Sequence, residues 1–260
     1  MSVAPEIRIM TDAEELAQEA AELFVWLGEQ AIKRSGRFLV VLSGGSTPKA
    51  LYTKLAGPEF SARLEWSRVR FFFGDERCVP PDHPESNYGM AEAILFQPLK
   101  IQPGQVFPMK GEDSDPDRAA RLYEALLRQE CGPVDGEWPI FDTLLLGLGE
   151  DGHVASLFPG TEALNERTRW VVATTSPRGV ASRLTLTLGV INHAGVVIFL
   201  VTGRHKAGVV RTVLEGHASQ ATPLPAALVR PERGRLIWFL DQAAAAELTV
   251  TRQGITSREE

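Results

Sequence analysis

Four short apolar runs, each cut off by glycine and polar residues, restrict the fold of this chain more than any other feature. Phe38 to Leu42 (FLVVL) runs into Ser43-Gly44-Gly45-Ser46-Thr47, and Val69 to Phe73 (VRFFF) runs into Gly74-Asp75-Glu76-Arg77. Phe141 to Leu146 ends in Gly147-Leu148-Gly149-Glu150-Asp151-Gly152-His153. Val196 to Val201 (VVIFLV) ends in Thr202-Gly203-Arg204-His205-Lys206. A short apolar run without alternation reads as a strand buried on both faces. Helical patterns lie between the runs. Leu16, Ala17, Ala20, Leu23, Phe24 and Leu27 recur at helical spacing behind a capping box read as Thr11 with Glu14, and Gly36 reads as the stop. Thr47 and Pro48 read as the next helix start, with proline at its first position. Asn87 to Phe96, Asp115 to Glu130 and Arg204 to Leu214 read as further helices. Trp170 to Thr174 and Arg183 to Leu188 are weaker strand candidates, and Leu236 to Leu240 closes the series.

Buried strands that alternate with helices build a parallel sheet. The expected fold is therefore α/β: a single domain over residues 1–260 with a mostly parallel, Rossmann-like sheet covered by helices on both faces. A helical subregion is expected between Asp82 and Gln129. A chain of 260 residues with 44% hydrophobic content can bury such a core without disulfides. The two cysteines, Cys78 and Cys131, give neither a disulfide framework nor metal-ligand spacing, and read as reduced thiols in a cytoplasmic protein. The net charge of −6, with no basic block, argues against nucleic acid as a partner. An anionic substrate would have to be met by local cations. No stretch is apolar for long enough to span a membrane, and the N-terminal residues lack the pattern of a signal peptide.

In open α/β sheets, ligands bind beyond the carboxyl ends of the strands. The four glycine-rich ends are thus expected to converge on one crevice. A glycine-rich turn leading into a helix presents free N–H groups at the positive end of the helix dipole, which suits a phosphate. Ser43 to Thr47 is such a turn, without the Gly-Lys-Ser/Thr ending of a P-loop; a plain strand–helix turn capped by Thr47 is the alternative. Asp151 stands two residues before His153, where it can orient the imidazole and leave it as a general base. The alternative there is a turn with a structural histidine. Gly74-Asp75-Glu76-Arg77 is either an acid–base pair or a salt-bridged turn. Cys78 beside Arg77 is a weak candidate for an activated thiol, with no base dedicated to it. The other histidines, His193, His205 and His217 among them, lack zinc-site spacing.

Taken together, these stretches resemble the glucosamine-6-phosphate isomerase/6-phosphogluconolactonase family. The resemblance rests on LSGGSTPKALY (Leu42 to Tyr52), FFFGDERCVPPDHPESNYGMA (Phe71 to Ala91), LLLGLGEDGHVASLFPGT (Leu144 to Thr161), SRLTLTLGVINHA (Ser182 to Ala194) and FLVTGRHKAGVV (Phe199 to Val210), in the family's order. It implies that Ser43, Gly44, Gly45 and Ser46, with Arg183 and Lys206, bind a substrate phosphate. It also implies that Asp75, Arg77, Asp151 and His153 line the reacting end. The deaminase branch is similar up to His153 but then carries a glutamate in an Asn-Glu-Pro context. Val154 to Gly160 holds no carboxylate here, which resembles the lactonase branch. The implied activity is hydrolysis of 6-phospho-D-glucono-1,5-lactone to 6-phospho-D-gluconate, needing no metal and no organic cofactor, with a small sugar phosphate as partner. Glucosamine-6-phosphate deamination is the rival activity. A non-catalytic sugar-phosphate-binding regulator is a third reading, and would call for a DNA-binding segment ahead of the first helix.

Overall fold

The computed structural model describes residues 4–132, 138–216 and 223–249. β1 (Glu6–Met10) and α1 (Ala13–Ser35) lead to β2 (Phe38–Leu42), α2 (Ser46–Ala56) and β3 (Val69–Phe73). β4 (Asp75–Arg77) follows one residue later. Then come α3 (Asn87–Ala91), a π-helical turn (Glu92–Phe96), α4 (Gln97–Leu99) and α5 (Pro116–Cys131). The remainder runs β5 (Thr143–Leu146), β6 (Val171–Thr175), β7 (Ser182–Leu186), α6 (Leu188–Asn192), β8 (Val196–Val201), α7 (Ala207–Glu215) and β9 (Arg235–Asp241).

Six strands form one sheet in the order β1-β9-β8-β5-β2-β3. Every pairing in it is parallel. β2, β5 and β8 are buried along their whole length, as continuous apolar runs require of strands covered on both faces. The packing between them is aromatic in places: Phe199 and Trp238 stack across β8 and β9 with ring centroids 3.8 Å apart, and Phe24 of α1 meets Phe38 edge-on at 5.3 Å. Each such buried side chain contributes roughly 1.5–3 kcal/mol.

Several expectations are corrected. β1 has no counterpart in the sequence reading. Its Glu-Ile-Arg-Ile-Met alternation is that of an edge strand, with Ile7 and Ile9 left exposed. The weaker strand candidates do form strands, but outside the main sheet: β4, β7 and β6 make a separate antiparallel sheet, with Asp75 opposite Thr185 and Arg77 opposite Arg183. Gly74 is the pivot. Its N–H donates to Leu42 O of β2 at 2.9 Å, while its carbonyl accepts from Leu186 N of β7 at 2.8 Å. The cap of α1 is Asp12, whose Oδ1 accepts from Glu14 N and Glu15 N at 2.9 Å; Thr11 instead donates to Glu15. α2 begins at Ser46 behind Gly45, so Pro48 is its third residue and no side chain caps its first turn. Gly36 does end α1, at φ 75°. The glycines and prolines of Gly132 to Pro139 predict a loop, most of which lies outside the described residues.

Candidate active site

The path of the chain reverses across the sheet at β2, with β3 on one side and β5 on the other. Loops leaving β2 and β5 diverge there and open a crevice at the strands' carboxyl ends. It measures about 540 Å³. Its walls take Ser43, Gly44, Gly45 and Ser46 from the β2 turn, Asp75 and Arg77 from β4, His153 from the β5 loop and Lys206 from the β8 turn. The four predicted strand ends therefore do converge. Asp151 joins through its bond to His153. Arg183 does not line the crevice. A depression of about 580 Å³ beside α2 includes Lys49, Lys54 and Glu14, and shares only Ser46 with the crevice.

The glycine turn is held from below by Tyr52. Its buried hydroxyl donates to Ser43 O at 2.8 Å and accepts from Ser43 N at 3.0 Å. Gly45 has φ 106°, a left-handed value that favours glycine. Gly44 is required for space, because a Cβ there would lie 1.9 Å from Asn87 Oδ1. The β2 and β8 turns are joined by a hydrogen bond between the Thr47 and Thr202 hydroxyls, 2.8 Å. With no side-chain cap, the first turn of α2 faces the crevice with its positive dipole end.

The β5 loop folds the imidazole back on itself. Gly149 N donates to His153 O at 2.9 Å, and the ring lies so close to Gly149 that a Cβ there would be 1.9 Å from Nδ1. His153 Nδ1 is 2.5 Å from Asp151 Oδ1. Burial opposes ionisation of Asp151, but the bonds from the His153 ring and backbone prevail and hold its carboxyl below the usual range. An ionised Asp151 can only accept, so Nδ1 carries the proton and Nε2 is left as the basic nitrogen. Phe158 packs on the ring with centroids 4.5 Å apart.

β4 supplies the opposite wall. Asp75 is 6% exposed and accepts from Ser156 Oγ at 2.6 Å and Asn87 Nδ2 at 3.2 Å. Glu76 is buried too, and burial pushes its carboxyl up although Asn87 N, Tyr88 N and Arg77 N all donate to it. Arg77 donates from Nη1 to Glu85 O at 2.5 Å, and its buried Nε finds no acceptor. Arg183, directly across on β7, donates to Val180 O at 2.8 Å and to Arg178 O at 3.5 Å. Burial, then the neighbouring Arg77, lowers its pKa. Burial likewise holds Lys206 below the ordinary lysine range, against the favourable charges of Glu150 and Asp151. Burial pushes the Cys78 thiol up, which removes the activated-thiol reading.

Sequence reasoning missed Asn87, Ser156 and Asp241, and gave Thr202 and His205 no role beyond their place in the β8 turn. Asp241 had a usable signal, since it ends an apolar run as the four noted turns do. Both its oxygens accept from Gly203 N at 3.0 Å, which fixes the β8 turn from β9. Among the described residues no three His, Cys, Asp or Glu side chains group as a metal site, and no helix is long and apolar enough to cross a membrane.

The profile of glucosamine-6-phosphate isomerases/6-phosphogluconolactonase matches residues 11–238. A 6-phosphogluconolactonase of Nostoc sp. (strain PCC 7120) is 38% identical over 244 residues, spanning 94% of this chain and 98% of its own length. One from Synechocystis sp. (strain PCC 6803) is 37% identical, spanning 95% and 99%. The solved 6-phosphogluconolactonase from Trypanosoma cruzi superposes with a TM-score of 0.85 at 34% identity, covering 96% of this chain and 98% of that one. A monomeric glucosamine-6-phosphate deaminase superposes at 0.76 and 25% identity, covering 94% and 100%.

Proposed function

The chain belongs to the glucosamine-6-phosphate isomerase/6-phosphogluconolactonase family, and from that premise we propose how its crevice works. It hydrolyses 6-phospho-D-glucono-1,5-lactone to 6-phospho-D-gluconate, a step of the oxidative pentose phosphate pathway. The observation that carries the lactonase reading within the site is the segment after His153. Val154 to Gly160 offers no carboxylate for ring opening, and Phe158 packs against the imidazole instead.

In this reading the phosphate rests on the Ser43–Ser46 turn, at the start of α2, with Lys206 beside it. That remote anchor orients C1 of the lactone at the other end. Asp151 keeps the His153 proton on Nδ1. Nε2 takes a proton from water as the water oxygen bonds to C1. The carbonyl π pair moves onto oxygen, and the oxyanion takes hydrogen bonds from Arg77 and backbone N–H groups. The oxyanion then collapses, the bond from C1 to the ring oxygen breaks, and His153 returns the proton to that oxygen. The product acid loses its proton to solvent. Asp75 borders the reacting end. In this reading Arg183 stands beside Arg77 rather than at the phosphate, since its Nε and Nη2 donate to the Val180 and Arg178 carbonyls. We read residues 1–260 as one lactonase domain acting in the cytoplasm.

The test is an assay of both family activities. The protein should open the phosphorylated lactone well above the spontaneous rate, followed at neutral or slightly acidic pH, and release no ammonia from glucosamine 6-phosphate above background. Deamination at a rate comparable to lactone opening would overturn the reading.

A further inference from the structure

A buried carboxyl group needs hydrogen-bond partners, and the partners fix where it points. Asp75 is 6% exposed yet borders the crevice. Two side chains supply its donors, one for each oxygen: Ser156 Oγ donates to Oδ2 at 2.6 Å, and Asn87 Nδ2 donates to Oδ1 at 3.2 Å. We propose that Asn87 and Ser156 are positioning residues for the hydrolysis, clamping Asp75 to the glycine turn on one side and to the His153 loop on the other. The inference rests on the reading of Asp75 as a reacting-end group.

The Asn87 side is built from three contacts. Its Nδ2 also donates to Asp75 O at 2.9 Å, and its backbone N donates to Glu76 Oε1 at 2.8 Å. Its Oδ1 occupies the space over Gly44 in which any larger residue would place Cβ. One buried amide thus touches both the acid and the backbone of the turn assigned to the phosphate.

The Ser156 side is equally constrained. Ser156 lies three residues after His153 and is 1% exposed. Its N–H donates to Thr185 Oγ1 at 3.2 Å, and Thr185 is the residue opposite Asp75 on β7. The turn that delivers it is closed by Leu157 N donating to Val154 O at 2.8 Å, with Ala155 at φ 48°. A non-glycine residue is held in that left-handed region only where its surroundings determine it. The Ser156 bonds to Asp75 and Thr185 are among those that do so here. Asp75 is therefore tied, through single side chains, to both of the loops that the reaction needs in register.

The experiment compares Ser156→Ala, Asn87→Ala and Asp75→Asn, singly and with each of the first two combined with the third, in the full chain. Each of the first two should lower kcat about ten- to a hundredfold, the scale of a small misplacement, with KM within about threefold of wild type. Added to Asp75→Asn they should change kcat by less than about twofold, because residues that act through one group are not additive. Thermal melts report the folded fraction; should Asn87→Ala fail to fold, Ser156→Ala, which removes one atom, decides alone. Wild-type kcat in both single variants, or losses that multiply with Asp75→Asn, would overturn the inference while leaving a slow Asp75→Asn and the reading of Asp75 intact. Wild-type kcat in Asp75→Asn would overturn both.

Discussion

The six-stranded parallel sheet and the three-stranded antiparallel sheet both border the crevice, and they contribute to it in opposite ways. The parallel sheet is apolar through its central strands and serves the site only beyond its ends, with the β2 turn, the His153 loop and Lys206. The small sheet serves it with strand residues, and buries polar groups to do so: Asp75, Glu76, Arg183 and Thr185 are all buried. A loop past a strand end has free backbone groups and room to meet a ligand. A polar residue inside a sheet has to be satisfied by the protein itself. Changes beyond the large sheet should therefore alter chemistry or binding alone, whereas changes in the small sheet should also alter stability.

The largest effect expected on the loop side is from His153→Ala. Loss of a positioned general base lowers kcat by about 10²- to 10⁴-fold, or roughly 3–5 kcal/mol of barrier. KM should stay within a few-fold and the melting temperature near wild type, as steady-state kinetics and a thermal melt will show. A large loss of stability would break the comparison. Asp151→Asn should have a smaller effect on kcat, by releasing the tautomer of His153.

The two cations sharpen it. Lys206→Met removes a charge-assisted contact worth roughly 1.5–3 kcal/mol, so KM for the phosphorylated lactone should rise about tenfold or more. Arg183→Met should instead lower thermal stability and kcat, since Arg183 braces the 178–180 carbonyls beside Arg77. If the two variants raised KM alike with no loss of stability, Arg183 would belong at the phosphate after all.

Inside the small sheet, Glu76→Gln tests stability directly. Glu76 accepts from Arg77 N, Asn87 N, Tyr88 N and the Ser86 hydroxyl. An amide puts a donor against donors, which costs about 1–3 kcal/mol in urea unfolding. KM should be unchanged.

The smallest effect is in pH. Burial lowers the Lys206 pKa, so its positive charge is lost at a lower pH than that of an ordinary lysine. Affinity for 6-phosphogluconate should then fall severalfold as pH rises from neutral to about 10, measured by calorimetry on the stable product. Lys206→Arg keeps its charge and should flatten the profile.

How much of this was legible in the sequence follows from distance along the chain. The central strands could be read from their apolar runs, and their glycine-rich ends from the breaks that stop them. Asp151 and His153 were legible as a pair because only Gly152 separates them, and so short a link has few ways to fold. β1 escaped because five alternating residues at a sheet edge give a weak signal. The cap of α1 was misplaced by one residue because Thr11 and Asp12 are both good caps, and only the geometry of the first turn selects between them.

Tertiary structure alone decided how the strands of the small sheet pair and what depends on that pairing. β4 meets β7 more than 100 residues later in the chain, Ser156 reaches Asp75 across 81 residues, and Asn87 comes to rest over Gly44. Local hydrophobic period reports whether a segment has a buried face. It says nothing about which distant strand completes its hydrogen bonds, or which side chain satisfies a carboxyl group that the fold has buried. Those choices are made only when the whole chain has closed, by the cost of leaving a buried polar group unpaired.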